Sequence, residues 1–271
     1  MGILQLGQQT QYISEYSPEL LFPIARVDKW QEMGIDTERL PFFGEDIWNA
    51  YEVSWLDSKG KPIVAIAEFR FPYNSPNIIE SKSFKLYLNS LNQTRYDAQS
   101  DVLNVMTQDL SKVAGADVSV TLRSLNDIQT LVIQTGDYCI DDLDIETLVY
   151  HPDANLLSLD TNGEYAEEKL VSHLLKSNCP VTNQPDWGSV FIEYKGKQIN
   201  HESLLKYVIS FREHTDFHEQ CVERMYIDIM RHCQPDELIV NARYVRRGGL
   251  DINPYRASKA LTLTNDRLSR Q

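Results

Sequence analysis

The chain has 271 residues, 42% of them hydrophobic, and a formal net charge of −13. A chain of this length can bury a substantial core, as one large domain or as two smaller modules. Its negative charge repels phosphate backbones, which excludes stable binding to nucleic acid and favours a small-molecule substrate.

Four cysteines occur in the chain, at Cys139, Cys179, Cys221 and Cys233. They lack the paired short spacing of a zinc site and are too few to cross-link a chain of this size, so we expect no metal and a reducing, cytoplasmic location. The N-terminal residues do not resemble an export signal, and no run of about 18 apolar residues occurs. The sequence therefore predicts no membrane association.

In the first half, residues 1–40 are expected to form an irregularly packed arm. Alternating apolar residues predict strands at 51–56 and 63–71, joined as an antiparallel hairpin by a turn at Lys59-Gly60-Lys61. Helical spacing then predicts a helix over 80–91 and a second helix over 97–113 that ends at Gly115. A strand is predicted over 118–122.

After a strand-like run at 131–133, an acidic segment from Asp137 to Glu146 indicates a boundary between modules. The pattern then restarts with a strand at 190–194 and helices at 200–212 and 216–233. Two further strands, at 237–246 and 249–257, are joined through the basic turn Arg246-Arg247-Gly248-Gly249.

The two halves resemble each other at a constant offset of 120 residues: Ser83 corresponds to Ser203, Tyr87 to Tyr207 and Val102 to Val222. We therefore predict an α+β fold made of two tandem β-β-α-α-β-β modules, residues 1–136 and 137–271. The copies keep different polar groups, because Glu80 and Lys82 occur only in the first and the pair His218-Glu219 only in the second. One site assembled from both copies would explain this difference, and so would drift on solvated faces.

Cys179 is the first candidate for chemistry. It is followed by Pro180, and Pro185 and Asp186 come shortly after, so it is predicted to lie on a constrained loop outside regular helix. A cysteine becomes a nucleophile only where its thiolate is stabilised and reachable; otherwise it is a small buried apolar residue. Both interpretations stay open for Cys179 at this point.

Two interpretations also fit Glu219. Asp216 is a good N-cap residue, and a glutamate three positions later commonly caps the same helix reciprocally. Alternatively, His218 and Glu219 bind the polar edge of a heterocycle, because a carboxylate accepts two N–H bonds from a guanine-like edge. No glycine-rich dinucleotide or Walker motif occurs, so the phosphates of a nucleotide would contact basic side chains and the 246–249 turn.

Three segments together carry a family resemblance: Glu80-Ser81-Lys82-Ser83-Phe84-Lys85-Leu86-Tyr87, Cys179-Pro180 with Gln184-Pro185-Asp186, and Ser210-Phe211-Arg212 continuing into Asp216-Phe217-His218-Glu219. In these segments the chain resembles the NADPH-dependent 7-cyano-7-deazaguanine reductases, the nitrile reductases of queuosine biosynthesis, in their two-module form. The resemblance implies the tunnelling fold, in which such modules pack side by side into a barrel.

The resemblance also implies roles for individual residues. Cys179 would attack the nitrile carbon to give a thioimide, and Asp186 would donate a proton to the nitrile nitrogen. The residues implied to bind the 7-deazaguanine substrate are Ile79, Glu80, Ser81, His218 and Glu219, and those implied to bind NADPH are Ser81, Lys82, Arg247 and Gly248. A symmetric homodimer is expected, because such modules leave open sheet edges. The alternatives are a non-catalytic protein of this fold that binds a purine or pterin, and a cyclohydrolase-like enzyme.

Overall fold

The computed structural model describes residues 13–125 and 138–271. The chain divides into two compact units. Unit 1 comprises Met1–Leu40, Glu45–Leu131 and Arg246–Ile252, and unit 2 comprises Pro41–Gly44, Val132–Val245 and Asn253–Gln271. The predicted strand at 131–133 and the predicted module boundary after residue 136 lie outside the described residues, so both stay predictions.

Unit 1 combines antiparallel strands with two long helices. Its elements in chain order are β1 (Pro23–Ala25), α1 (Val27–Glu32), β2 (Phe43–Leu56, whose first two residues belong to unit 2), β3 (Pro62–Pro72), β4 (Asn77–Ile79), α2 (Ser81–Ser90), α3 (Gln99–Ala114) and β5 (Ser119–Ser124). Strand β3 pairs with both β2 and β5, and β1 pairs with β4. The predicted hairpin and both predicted helices are confirmed.

Unit 2 repeats the central part of this order, in which strands are followed by two long helices and then by strand structure. Its elements are β6 (Tyr138–Cys139), β7 (Tyr165–Ser172), β8 (Lys176–Asn178), β9 (Pro185–Lys197), α4 (His201–Ser210), α5 (His218–Cys233), β10 (Glu237–Tyr244) and β11 (Leu250–Ala257), of which β11 begins in unit 1. The strand order is β11-β10-β9-β7-β6, with β8 also paired to β9. The α+β class and the tandem modules are confirmed, and closure into a barrel stays a prediction.

The core of unit 1 is rich in aromatic side chains. Phe84 of α2 meets Trp48 and Phe69 edge to face, with ring centroids 5.2 and 5.1 Å apart. Such pairs contribute roughly 0.5–1.5 kcal/mol each beyond their buried area. Val102 and Met106 of α3 are fully buried in the same cluster. The apolar faces predicted for the two helices are therefore the faces that pack on the strands.

Matching polar contacts in the two units support the duplication. In unit 1, the hydroxyl of Tyr87 donates to Asp109 at 2.7 Å. In unit 2, the hydroxyl of Tyr207 donates to Asp228 at 2.7 Å. Ser90 and Ser210, near the ends of the first helices, both donate to the carbonyl of the tyrosine three residues before them at 2.6 Å.

The predicted constant offset is wrong for the second pair of helices. The fully buried positions of α3 are Val102, Met106, Leu110 and Ala114, and those with the same spacing in α5 are Cys221, Met225, Ile229 and Cys233. Val102 thus corresponds to Cys221 and not to Val222. The segment between the helices is one residue shorter in unit 2, and the shift is absorbed there.

The N-terminal arm is more regular than the sequence predicts. Between residues 13 and 40 it contains a 3₁₀ turn at Pro18–Leu20, strand β1 and helix α1. Arg26 forms a buried ion pair with Asp46, and its backbone N–H donates to Pro76 at 3.0 Å. Within residues 13–125 and 138–271, no helix is both long and apolar enough to cross a membrane.

A buried ion pair in unit 2 gives a stability prediction. The guanidinium of Arg256 donates to Glu223 Oε1 at 2.7 and 3.2 Å, and both side chains are at most 1% exposed. Glu223→Gln removes the negative charge but leaves the arginine in its dry environment. We expect a loss of about 3–5 kcal/mol in the free energy of unfolding, measured by urea denaturation.

The matched control is Glu193→Gln, which disrupts the more exposed pair with Lys169, whose side chain is 61% exposed. Exposed pairs contribute about 0–1 kcal/mol, so this variant should unfold close to the parent midpoint. Equal destabilisation by the two substitutions would contradict the special cost assigned to the buried pair.

Candidate active site

Cys179 lies in the turn of a tight hairpin in unit 2. Strand β8 pairs with β9 so that Ser177 is opposite Asp186. The last paired residues are Asn178 and Pro185. Beyond them, the N–H of Cys179 donates to the carbonyl of Gln184 at 2.9 Å, and the N–H of Asn183 donates to the carbonyl of Cys179 at 2.8 Å. The predicted constrained loop is present, and its cysteine is 9% exposed.

The same pairing sets the direction of the Asp186 side chain. Side chains alternate along a strand, and Asp186 is 6% exposed while its neighbour Trp187 is 41% exposed. Cys179 directly follows Asn178, the last residue of β8, and is two positions from Ser177, which is opposite Asp186. Continued alternation therefore predicts that the thiol lies on the side of the hairpin that bears Asp186, as a diagonal neighbour, a relation that typically spans about 7–8 Å.

The loop before α5 is joined to this hairpin by backbone hydrogen bonds. The N–H of Asn178 donates to the backbone carbonyl of His214 at 2.8 Å, and the N–H of Asp216 donates to the backbone carbonyl of Asn178 at 3.2 Å. The first residue of α5, His218, consequently lies beside the hairpin. Its Nε2 is 3.3 Å from Oδ2 of Asp186, and the two side chains are 14% and 6% exposed.

The predicted N-cap of α5 is wrong. The cap is Phe217, and its N–H donates to the side chain of Gln220 at 3.4 Å. Asp216 contacts His214 instead, at 3.2 Å. The reciprocal capping role considered for Glu219 is therefore taken by Gln220, and the side chain of Glu219 is 2% exposed.

Three of the four cysteines are poor candidates for a nucleophile. Burial raises the pKa of Cys139, raises that of Cys233 to about 11 and raises that of Cys221 still further, with the charge of Asp216 acting in the same direction on Cys221. These thiols stay protonated near neutral pH, and a thiol reacts as its thiolate. Cys221 and Cys233 are both buried on helix α5.

The remaining predicted substrate residues lie in unit 1. Ile79 ends β4 and is 2% exposed. Glu80 is the N-cap of α2, and its carboxylate accepts from the N–H groups of Lys82 and Ser83 at 2.8 and 2.7 Å. Ser81 is the first residue of the helix. The carboxylate of Glu80, which the resemblance assigns to substrate binding, therefore caps the N-terminus of its own helix in this structure.

The predicted cofactor residues of unit 1 form a basic surface. Lys82 is exposed on α2, and Lys85 follows one turn later. A Cβ atom placed on Gly248 would lie 3.6 Å from Cδ and Cε of Lys85, so the basic turn and α2 are adjacent. Gly248 has φ 58°, a left-handed conformation that favours glycine.

Among the described residues, no group of three or more histidine, cysteine, aspartate or glutamate side chains is arranged to hold a metal ion.

An aromatic residue next to His218 is not singled out by the sequence analysis. Tyr244, the last residue of β10, is fully buried, and its ring stacks on the imidazole of His218. A tyrosine at the end of a strand belongs to no motif, so no sequence signal identifies it.

Comparison with protein families gives two matches. Residues 12–122 match the model described as nitrile reductase, 7-cyano-7-deazaguanine-reductase N-term. Residues 185–262 match the model described as QueF-like protein. The first match includes α2 with its basic surface, and the second includes Asp186, His218 and Glu219.

Proposed function

Because this chain belongs to the nitrile reductases of queuosine biosynthesis, the 7-cyano-7-deazaguanine reductases in their two-module form, we propose that it reduces the nitrile of 7-cyano-7-deazaguanine to the primary amine, with NADPH as reductant. The observation that carries this proposal is the hairpin of unit 2. Cys179 lies in its turn, Asp186 lies on its second strand, and the imidazole of His218 lies 3.3 Å from the Asp186 carboxylate.

Cys179 is the proposed nucleophile. Its thiolate adds to the nitrile carbon, forming a C–S bond, while one C–N π bond breaks and the nitrogen takes a proton, which gives a thioimide. A nitrile accepts hydride poorly and the thioimide accepts it better, so covalent capture divides one difficult step into easier ones. After the first reduction, the C–S bond breaks and the thiolate leaves, which yields an imine for the second reduction.

Asp186 is the proposed proton donor to the nitrogen. Its burial, with 6% of the side chain exposed, and its place on the strand paired with β8 support this role. His218, next to Asp186, and Glu219, in the same helical turn, are proposed to bind the heterocycle. A buried carboxylate at Glu219 suits the paired N–H donors of a guanine-like edge. Ile79, Glu80 and Ser81 are proposed substrate contacts from unit 1.

The basic surface of unit 1 fits the phosphate groups of NADPH, each molecule of which would supply one hydride, so that two would bind in succession. Ser81, Lys82, Arg247 and Gly248 are the proposed contacts, and Lys85 beside Gly248 adds a further positive charge. Arginine and lysine form charge-assisted hydrogen bonds to phosphate, and the left-handed turn lets backbone approach the ligand closely. The proposal includes a homodimer. It also includes a cytoplasmic location, because all four cysteines are free.

The decisive measurement is incubation with 7-cyano-7-deazaguanine and NADPH, followed at the nicotinamide absorbance. Reduction of a nitrile to an amine takes four electrons, so two NADPH should be consumed for each amine formed. Tight binding of the purine without NADPH consumption would favour a non-catalytic binding protein, and release of a hydrolysis product would favour a cyclohydrolase-like enzyme.

Lys82→Ala tests the cofactor surface. The substitution removes a point charge near the proposed phosphate position, and a hydrogen bond to a charged group contributes roughly 1.5–3 kcal/mol, or about ten- to a hundredfold in affinity. We expect the KM for NADPH to rise toward this range while the covalent adduct with the nitrile still forms at the parent rate. Steady-state kinetics and intact-protein mass spectrometry give the two readouts.

The control is Lys59→Ala, which removes another exposed lysine, from the turn between β2 and β3. It leaves the basic surface intact and should leave the KM for NADPH unchanged. If both variants behave like the parent, Lys82 does not bind the cofactor.

A further inference from the structure

We infer that Tyr244 is a positioning residue, whose ring holds the imidazole of His218 in the orientation that meets Asp186. The inference rests on the proposed function. The rings of Tyr244 and His218 are parallel within 7°, with centroids 3.8 Å apart. Nothing in the sequence motifs or the family matches assigns Tyr244 a role.

The hydrogen bonding of His218 makes the stacking important. An imidazole used in a site is normally oriented by a hydrogen bond at the nitrogen that faces away from the chemistry. His218 Nε2 faces Asp186 at 3.3 Å. Its Nδ1 is buried and has no hydrogen-bond partner among residues 13–125 and 138–271. The face of the Tyr244 ring therefore replaces the usual orienting hydrogen bond.

The Tyr244 ring is itself tightly held. Tyr244 is paired across the strands with Gly188, two residues after Asp186. A Cβ atom on Gly188 would lie 3.1 Å from Cδ1 of Tyr244, so the ring occupies the space that a side chain at this position would need. The ring is thus confined between the backbone of β9 and the imidazole.

Hydrogen bonds fix the backbone on both sides of this pair. The N–H of Tyr244 donates to Asn253 Oδ1 at 3.1 Å, and the buried side chain of Gln271 donates to the Tyr244 carbonyl at 3.2 Å. Arg270 donates to the carbonyl of Gly188 at 2.8 Å. Since β9 and β10 are both held by hydrogen bonds at these points, the Tyr244 ring has a fixed position on which the His218 imidazole stacks.

The proposed role depends on the face of the ring and not on the hydroxyl group. Burial raises the pKa of the Tyr244 phenol well above its usual value, so the hydroxyl stays neutral and protonated. The nearby negative charge of Asp186 acts in the same direction. Tyr244→Phe should therefore keep the function of the residue, whereas Tyr244→Leu should lose it with little change in buried volume.

The test is a double-mutant cycle on the full chain, with NADPH oxidation by 7-cyano-7-deazaguanine as the activity. Tyr244→Leu should lower kcat about tenfold, and Tyr244→Phe should stay within about twofold of the parent. In a His218→Ala background, Tyr244→Leu should have no further effect, because its influence passes through the imidazole. A general structural defect would lower kcat by the same factor in both backgrounds, and this outcome would overturn the inference.

Gly188→Ala provides a milder second variant in case Tyr244→Leu does not fold. The added methyl group would displace the edge of the Tyr244 ring. This substitution should lower kcat in the otherwise unchanged protein and have no further effect in the His218→Ala background. A readout independent of activity is the NMR signal of the His218 ring protons, assigned by its absence in His218→Ala. Their upfield ring-current shift should persist in Tyr244→Phe and vanish in Tyr244→Leu. If it persists in Tyr244→Leu, the stacking inference is wrong, whereas an inactive parent protein would contradict only the proposed function.

Discussion

Cys179→Ala is expected to abolish both covalent capture of 7-cyano-7-deazaguanine and its reduction. In the parent protein, mixing with the nitrile alone should add the mass of the substrate, because a thioimide forms without a change in redox state. Without the thiol, no adduct can form, and the direct route requires hydride addition to an unactivated nitrile. Intact-protein mass spectrometry and NADPH oxidation measure the two losses.

Cys233→Ala is the matched control, because this cysteine is also buried in unit 2 but its pKa is raised to about 11 by burial. Its adduct should form as in the parent. A second control, Cys139→Ala, removes another thiol whose pKa is raised by burial. Survival of the adduct in Cys179→Ala would assign the nucleophile to a different residue.

Asp186→Asn is expected to slow proton delivery to the nitrile nitrogen while leaving the Cys179 nucleophile in place. An amide cannot donate the proton that a carboxylic acid supplies, and general acid catalysis typically contributes about 10²–10⁴-fold. Because the nitrile nitrogen takes its proton as the thioimide forms, capture and turnover should both slow by about this factor, while the Cys179 thiolate still gives the adduct on longer incubation. Rapid mixing followed by mass spectrometry gives the rate of capture, and NADPH oxidation gives the rate of turnover.

Glu193→Gln serves as its control, because this residue lies on the same strand β9 and makes an ion pair with Lys169 at 2.7 Å. Turnover in this variant should match the parent. Normal turnover in Asp186→Asn would mean that Asp186 shapes the hairpin and takes no part in proton transfer.

The helices and the first hairpin could be predicted from the sequence because their signals are local. The apolar spacing from Phe84 to Leu91 predicts a helix over 80–91, and α2 spans Ser81–Ser90. The same holds for the loop at Cys179, where two prolines restrict the backbone within a few residues. Such patterns depend little on the rest of the fold.

The start of α5 could not be predicted correctly, because Asp216 has two uses for its carboxylate. By residue type it is a favourable N-cap. In the folded chain it lies 3.2 Å from His214, in a loop that Asn178 anchors through backbone hydrogen bonds, and the helix begins later. The competition is decided by a tertiary contact, which no local pattern records. The stacking of Tyr244 on His218 is hidden for the same reason, since β10 and α5 supply one ring each.

The constant offset between the copies failed for a different reason. Identities such as Ser83 with Ser203 and Tyr87 with Tyr207 lie in the first helices, where the spacing is unchanged. A one-residue difference between helices leaves no trace in a comparison of apolar residues, because Val102 finds an apolar partner at either Cys221 or Val222. Only the burial of each position distinguishes the two alignments.

The hairpin that carries Cys179 and Asp186 also bears on the order of folding. The turn that joins these residues is short, and a β-hairpin forms in about 1–10 μs. His218 reaches Asp186 only after α5 has docked and Asn178 has bonded to His214 and Asp216. We therefore expect Cys179 and Asp186, the proposed nucleophile and acid, to meet early, during local folding, and the His218 imidazole to join them when the tertiary structure forms. A refolding chain should present a thiol beside a carboxyl group before it can orient a substrate.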